Sequence, residues 1–174
     1  MTYQIDTKHS AAHFQVRHMT IAFVKGEFGN VTGTVDFDAA TPETGKVDVS
    51  IETNSVYTRD PQRDGHLKTP DILDAEAHPA ITFKSKKVAK SGAGYEVTGD
   101  LTLRGATQEV KLHVSSVSDE VTDPWTLRRR GVTATAQISR SAFGMGWNME
   151  LPGVGLMVSD SVDILIDLEI TRQA

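Results

Sequence analysis

The chain has 174 residues, of which 39% are hydrophobic and 24% are charged, and it carries a net charge of −5 at pH 7. This length suits one domain with a sizeable core, and the acidic balance argues against a nucleic-acid-binding surface. The absence of cysteine excludes disulfides, thiolate metal ligands and cysteine nucleophiles. We therefore expect a single domain over residues 1–174 that binds no nucleic acid.

The first residues, MTYQIDTKHS, contain neither a cationic region nor an apolar run. They do not resemble a signal peptide, and no apolar segment approaches the roughly 18 residues of a membrane span. We predict a cytoplasmic protein without stable membrane insertion, unless the sequence is an already processed form.

Apolar and polar residues alternate with a period of two along most of the chain. The alternation begins at residues 12–16 and continues from Phe28 to Phe37, with interruptions at Gly29 and Gly33. Six further segments repeat it: 47–51, 81–88, 95–103, 110–114, 132–138 and 162–170. This period is typical of strands with one buried face, and many strands joined by short turns indicate an antiparallel sandwich or barrel.

Residues 54–86, which we call the crossover, interrupt the strands. Asp60 followed by Pro61 predicts a helix start, and Gly65 predicts its end. A second start signal at Thr69 and Pro70 makes one or two short helices the expectation.

The crossover also contains a compact polar group. Its functional interpretation is an anion or head-group site at a barrel mouth, with Arg63 and Lys68 as charge partners and His66 as a hydrogen-bond donor. Its structural interpretation is an Arg63–Asp64 pair that locks the chain, and for His66 both interpretations stay open.

Residues 143–157, FGMGWNMELPGVGLM, combine four glycines and a proline with large apolar side chains. Apolar groups on a flexible backbone suggest a cover over an apolar ligand, because methionine adapts to varied shapes. A long hairpin that merely caps the core is the alternative. Arg140 lies next to this 143–157 segment and is a candidate cation, whereas residues 128–130 (RRR) are expected to form a solvated strand entrance.

Catalytic and metal chemistry find little support. His9 and Ser10 are adjacent, so on a strand their side chains point to opposite faces. His9 and His13 would lie about 13 Å apart along a strand, too far to share a metal ion, although a site gathered across strands with His18 stays open. We predict no enzyme activity, no catalytic residue and no metal site.

The sequence resembles the YceI-like polyisoprenoid-binding family over its whole length. The pattern H-S-x-x-x-F-x-V-x-H occupies residues 9–18 and is followed by Gly26 and Phe28. Further matches are RDGHL at 63–67, PAITFKS at 79–85, GDLTLRGAT at 99–107 and RSAFG at 140–144. Ile72 and Leu73 depart from the pattern, since an aromatic pair is commoner there in the family.

The resemblance implies an all-β fold, a lipocalin-like antiparallel β-barrel of about eight strands, often dimeric, that holds an isoprenoid chain without cofactor or metal. A homodimer is therefore one expectation. We predict that the ligand contacts thirteen residues: Phe14, Val16, Phe28, His66, Lys68, Phe83, Leu101, Leu103, Leu112, Ile138, Arg140, Phe143 and Trp147.

The function that follows is binding and carriage or storage of a long-chain isoprenoid lipid, such as a prenyl phosphate or prenylated quinone. Two alternatives remain at this point. One is an accessory enzyme or chaperone of an isoprenoid-lipid pathway, and the other is a stress-related interaction protein with a filled core.

Overall fold

The computed structural model describes residues 1–173, which form fourteen β-strands, one α-helix and four 3-10 turns. The helix α1 is Pro61–Leu67. The strands are β1 (Thr2–Ile5), β2 (Ala11–His18), β3 (Ala22–Phe28), β4 (Val31–Asp36), β5 (Lys46–Glu52), β6 (Val56–Tyr57), β7 (Ala80–Ser91), β8 (Gly94–Leu103), β9 (Ala106–Val117), β10 (Val121–Thr122), β11 (Arg128–Ser139), β12 (Glu150–Leu151), β13 (Gly155–Leu156) and β14 (Val158–Arg172).

Eight antiparallel strands close a barrel. They pair in the order β11, β9, β8, β7, β5, β4, β1 and β14, and β14 pairs back onto β11 from Arg128↔Arg172 to Ser139↔Ser161. On its other edge β14 pairs first with β2 and then with β1, and β3 and β6 continue the sheet beyond β2. The prediction of an all-β, lipocalin-like antiparallel barrel is confirmed.

Two hydrophobic clusters make up the interior. The larger one contains the fully buried side chains of Tyr3 and Ile170, together with inward-facing residues of the ring strands. The smaller one joins the crossover residues Ile72 and Leu73 to Phe143. Side chains that alternate inward along each strand supply both clusters, as a period of two requires.

Helix α1 follows the predicted start signal. The Asp60 carboxylate accepts hydrogen bonds from the backbone N–H groups of Gln62 and Arg63, which caps the helix. The predicted end at Gly65 is wrong, because the helix continues to Leu67 and the Lys68 N–H bonds back to the Gly65 carbonyl. Turns rather than a second helix follow, and no helix within residues 1–173 has the length and apolar character needed to cross a membrane.

Strand β3 is absent from the predicted pattern, which assigned no strand between residue 16 and Phe28. Its inward positions include Gly26, where a Cβ atom would come within 2.4 Å of the Phe14 ring. Its outward position Phe23 is 43% exposed. Val24 and Phe28 of this strand line the barrel cavity as the alternation requires. The glycine inside and the aromatic residue outside interrupt that alternation and obscure the strand in the sequence.

Candidate functional site

The barrel encloses an apolar cavity of about 510 Å³. Its wall is formed by aliphatic and aromatic side chains from seven of the eight ring strands and from β2 and β3. This volume lies within the roughly 300–1,000 Å³ of small-molecule sites. Eleven of the thirteen predicted contact residues line it: Phe14, Val16, Phe28, His66, Phe83, Leu101, Leu103, Leu112, Ile138, Arg140 and Trp147.

The other two predicted residues lie away from the cavity wall. Phe143 is 2% exposed and packs with Met145 in the smaller cluster, so it supports the wall from behind. Lys68 follows the helix, two positions after His66. Residues two apart on a helix do not share a face, so the structure brings His66 but not Lys68 to the cavity.

Strand β14 supplies a wall that the predicted set omitted. Its lining residues are Val158, Val162, Ile164, Ile166, Leu168 and Ile170. The signal was available, because this strand has the clearest alternation in the sequence. Met145 and Met157 of the 143–157 segment also line the cavity.

Arg140 is a buried cation on the cavity wall. The residue is 8% exposed, and its Nε atom donates a hydrogen bond to the Ser159 carbonyl at 3.0 Å. Nη1 donates to the Met145 carbonyl, and both Nη atoms donate to the Trp147 carbonyl, each at 3.3 Å. Burial lowers the pKa of Arg140, and the nearby Asp160 charge partly opposes this.

Within residues 1–173, no carboxylate forms an ion pair with Arg140 within 4.0 Å. The carboxylate of Asp160 instead accepts hydrogen bonds from the Ser139 hydroxyl and from the Ser141 backbone N–H. A buried charge is costly unless it is paired or well hydrogen-bonded. Arg140 therefore stabilises the path of the 143–157 segment and also leaves a positive charge beside an apolar space.

Arg63 and Asp64 of the crossover share one partner rather than pairing with each other. Arg63 donates from Nε to the Thr58 hydroxyl at 2.8 Å and from Nη2 to the Thr58 carbonyl at 2.7 Å. The Thr58 N–H and hydroxyl both donate to Oδ1 of Asp64, at 2.8 and 2.5 Å. Because Thr58 is 3% exposed, this arrangement locks α1 onto the barrel and supports the structural interpretation.

His66 and Trp147 connect the crossover to the 143–157 segment. Their rings meet edge to face, with centroids 4.7 Å apart. Nε2 of His66 lies 3.3 Å from Oδ2 of Asp71. Since His66 and Trp147 both line the cavity, this contact closes part of its crossover end.

The 143–157 segment combines the two roles that its sequence suggested. Phe143 and Met145 are buried in the smaller cluster, as expected of a core cap. Trp147 and Met157 line the cavity, as expected of a cover. Met149 and Leu156 are about half exposed, at 50% and 53%, on the β12–β13 hairpin.

The basic run at residues 128–130 does begin β11, and the side chain of Arg128 is 42% exposed, but the prediction of a solvated run is wrong for the other two arginines. The side chains of Arg129 and Arg130 are 16% and 17% exposed. Nε of Arg130 donates to the Tyr3 hydroxyl at 3.0 Å, and that hydroxyl donates to Glu120 at 2.5 Å. The run therefore takes part in a polar network at the barrel end opposite the crossover.

Asp6, His9 and Glu169 place three ligand-type atoms within 4.8 Å of one another. Nη1 of Arg129 lies among them, 2.7 Å from Asp6 and 2.5 Å from Glu169. Hydrogen bonds from His9 and Arg129 lower the pKa of Asp6 to about 2, against an opposing effect of burial. The guanidinium thus supplies the positive charge at this cluster.

Comparison with known proteins places the chain in a family. Residues 3–170 match the YceI-like domain. Protein YceI of Escherichia coli O157:H7 is 34% identical over 173 residues, which cover 98% of this chain and 87% of that protein.

Two solved structures show the same architecture. BcnA of Burkholderia cenocepacia superposes with a TM-score of 0.82 at 26% identity, over 95% of this chain and 98% of that chain. A polyisoprenoid binding domain from Saccharophagus degradans gives a TM-score of 0.67 at 17% identity, over 97% of each chain. With its fold, its cavity and the match over residues 3–170, the chain belongs to the YceI-like domain family.

Proposed function

We propose that the protein binds a long-chain isoprenoid lipid inside the barrel and carries or stores it without converting it. The supporting observation is the apolar cavity of about 510 Å³ under the crossover and the 143–157 segment. The Saccharophagus degradans domain, which shares the fold, is described as polyisoprenoid binding. That domain is a precedent for isoprenoid binding by this fold, and the cavity is the observation that supports such binding by this chain.

The cavity volume sets the length of chain that fits. An apolar cavity of about 150 Å³ accommodates benzene, so 510 Å³ holds about 20 carbon atoms, or four isoprene units, by the same measure. Each buried five-carbon unit contributes roughly 3 to 4 kcal/mol before ordering costs. Four units sum to about 12 to 16 kcal/mol, which is below the practical affinity limit of about 18 to 21 kcal/mol. Cavity size, rather than affinity, then limits the chain length.

Arg140 gives the cavity one polar end. A guanidinium donates hydrogen bonds to phosphate and carbonyl oxygens alike. A prenyl phosphate or a prenylated quinone thus has an acceptor for it, and the charge favours the phosphate. The ligand we propose enters with its chain among the barrel residues and its head group near Arg140 and Trp147.

A binding role fits the cavity better than either alternative. Arg63 and Arg140 are held by hydrogen bonds to the Thr58 hydroxyl and to backbone carbonyls, an arrangement suited to positioning rather than proton transfer. An interaction protein with a filled core would have no use for the cavity.

The direct test is native mass spectrometry of freshly purified protein, followed by lipid extraction. We expect an adduct whose extracted mass corresponds to an isoprenoid lipid. Delipidated protein should also take up geranylgeraniol from dilute ethanol. Protein that carries no extractable lipid and takes up no geranylgeraniol would refute the proposal.

The head-group role of Arg140 is tested with geranylgeranyl phosphate and geranylgeraniol. Arg140→Met removes the charge, whereas Arg140→Lys keeps it, and both variants disturb the carbonyl contacts. We expect Arg140→Met to weaken phosphate binding by about tenfold or more, equivalent to about 1.4 kcal/mol, relative to Arg140→Lys. Binding of the uncharged alcohol should be equal in the two variants.

Quenching of Trp147 fluorescence reports binding once Trp125→Phe removes the second tryptophan. If Arg140→Met and Arg140→Lys bind the phosphate equally well, Arg140 has only a structural role.

A further inference from the structure

Exposed apolar side chains concentrate on two hairpins at the crossover end of the barrel. Of the ten large hydrophobic residues that are exposed among residues 1–173, five lie on the β2–β3 and β12–β13 hairpins. We call this set the apical patch: Ile21, Phe23, Met149, Val154 and Leu156. Ile21 is 74% exposed, at the tip of its hairpin. A concentration of this kind marks an interaction surface.

The two hairpins form one surface. The Met19 N–H donates to the Met157 carbonyl at 2.7 Å, and His18 pairs with Val158. His18, Val24 and Met157 line the cavity. The residues of the apical patch are therefore close in sequence to residues that form the cavity wall at the crossover end of the barrel.

The outer parts of these hairpins carry a charge opposite in sign to that of the chain. Residues 17–25 and 146–159 contain Arg17 and Lys25 but only one carboxylate, Glu150. Two basic groups and one acidic group leave a net charge of +1 there, against −5 for the whole chain. The Arg17 guanidinium also stacks over the Phe23 ring, 4.3 Å from its centroid. Apolar tips flanked by cations are typical of interfacial membrane anchors.

We propose that the apical patch docks the crossover end of the barrel onto a bilayer that contains anionic lipids. The proposal rests on the proposed function, because an isoprenoid ligand is dissolved in a bilayer before it reaches the cavity. Docking places the cavity wall at His18 and Met157 next to that source. Ile21 and Leu156 enter the acyl boundary, while Arg17 and Lys25 contact the lipid phosphates.

A second copy of the chain fits the patch less well. A symmetric dimer brings the same surface of both copies together. The four basic groups of the two copies, Arg17 and Lys25 from each, would then lie around one apolar contact, with one Glu150 from each copy to offset them. An anionic bilayer instead offers opposite charge to both basic groups.

The test is co-sedimentation of the full-length protein with vesicles of phosphatidylcholine alone or mixed with phosphatidylglycerol. We expect binding to the mixed vesicles, weakened by salt and reduced about tenfold or more by Ile21→Asp or Leu156→Asp. Trp125→Asp is the matched control, because Trp125 is 76% exposed yet precedes β11 at the opposite end of the barrel. This control should bind like the wild type.

Lipid exchange separates the docking from the proposed function. Ile21→Asp should take up geranylgeraniol from dilute ethanol normally but acquire it from vesicles about tenfold more slowly. Wild-type protein that holds geranylgeraniol yet binds neither kind of vesicle would overturn the docking alone. Protein that docks but holds no geranylgeraniol would instead overturn the proposed function.

Two further outcomes would also refute the docking. One is equal loss of vesicle binding in Ile21→Asp and Trp125→Asp, which would indicate a non-specific effect of the added charge. The other is a wild-type dimer in sedimentation velocity that Ile21→Asp dissociates, without vesicle binding by either protein. That result would assign the apical patch to contact between copies.

Discussion

Replacing Leu101 with tryptophan tests whether the barrel interior receives a ligand. Leu101 lines the cavity on β8 and packs against both hydrophobic clusters, so it lies where the two meet. Tryptophan at this position projects into the middle of the cavity. The indole ring should therefore obstruct the space available to a lipid chain.

The size of the effect follows from the volume. The tryptophan side chain has six more non-hydrogen atoms than the leucine side chain. Benzene also has six such atoms and occupies a cavity of about 150 Å³, so we take this as the added volume. The substitution therefore fills about 30% of the 510 Å³. In a close-packed core the same change would cost about 1 to 3 kcal/mol or more. We expect the delipidated variant to stay within about 1 kcal/mol of wild type and to lose uptake of geranylgeraniol.

Chemical denaturation of delipidated protein measures the stability, because a bound lipid would itself stabilise the fold. Leu101→Ala should bind lipid well and lose at most about 2.4 kcal/mol, the transfer of three carbons without a new cavity. Thr102→Trp is the matched control, since Thr102 lies next along β8 and does not line the cavity. A Leu101→Trp protein that unfolds readily yet still carries geranylgeraniol would refute the reasoning.

Two further predictions concern the ion cluster and the cavity end. Because the folded-state pKa of Asp6 is lowered to about 2, its ionised form stabilises the fold above its ordinary pKa, and this contribution is lost as pH falls from about 4 to 2. In Asp6→Asn, the free energy of unfolding measured in urea should fall less as the pH is lowered through that window. The difference from wild type should be at most about 2 kcal/mol before solvent screening. An unchanged dependence of the unfolding free energy on pH would contradict this. His66→Ala removes the ring contact with Trp147 and should speed the release of geranylgeraniol severalfold in stopped-flow fluorescence with little change in stability. A release rate equal to that of wild type would show that this contact does not close the cavity.

The sequence predicts those elements of the fold that depend on local sequence patterns. Period-two alternation identifies the long strands, and Asp60 with Pro61 marks the start of α1. Gly65 does not end the helix, because the half-buried Leu67 packs against the smaller hydrophobic cluster and that packing outweighs the poor helix propensity of glycine. Tertiary contact decides an element boundary that local signals leave open.

Features that depend on distant partners are not predictable in this way. Gly99 provides no free space beside Leu101, because a Cβ atom there would come within 2.6 Å of the Phe83 ring, which takes that space. Arg129 acquires its partners from residues 6, 123 and 169, which meet only when the barrel closes. The cytoplasmic location and the homodimer stay predictions.

The position of β14 in the ring has a consequence for folding during synthesis. β14 supplies partners to β1, β2 and β11, so one edge of each stays open until β14 has been made. At about 5 to 20 residues per second, β2 waits roughly 8 to 30 s on the ribosome for that partner. Unpaired strand edges are templates for aggregation. The nascent chain is therefore most vulnerable just before β14 is made, and cleavage ahead of β14 would leave a barrel that cannot close.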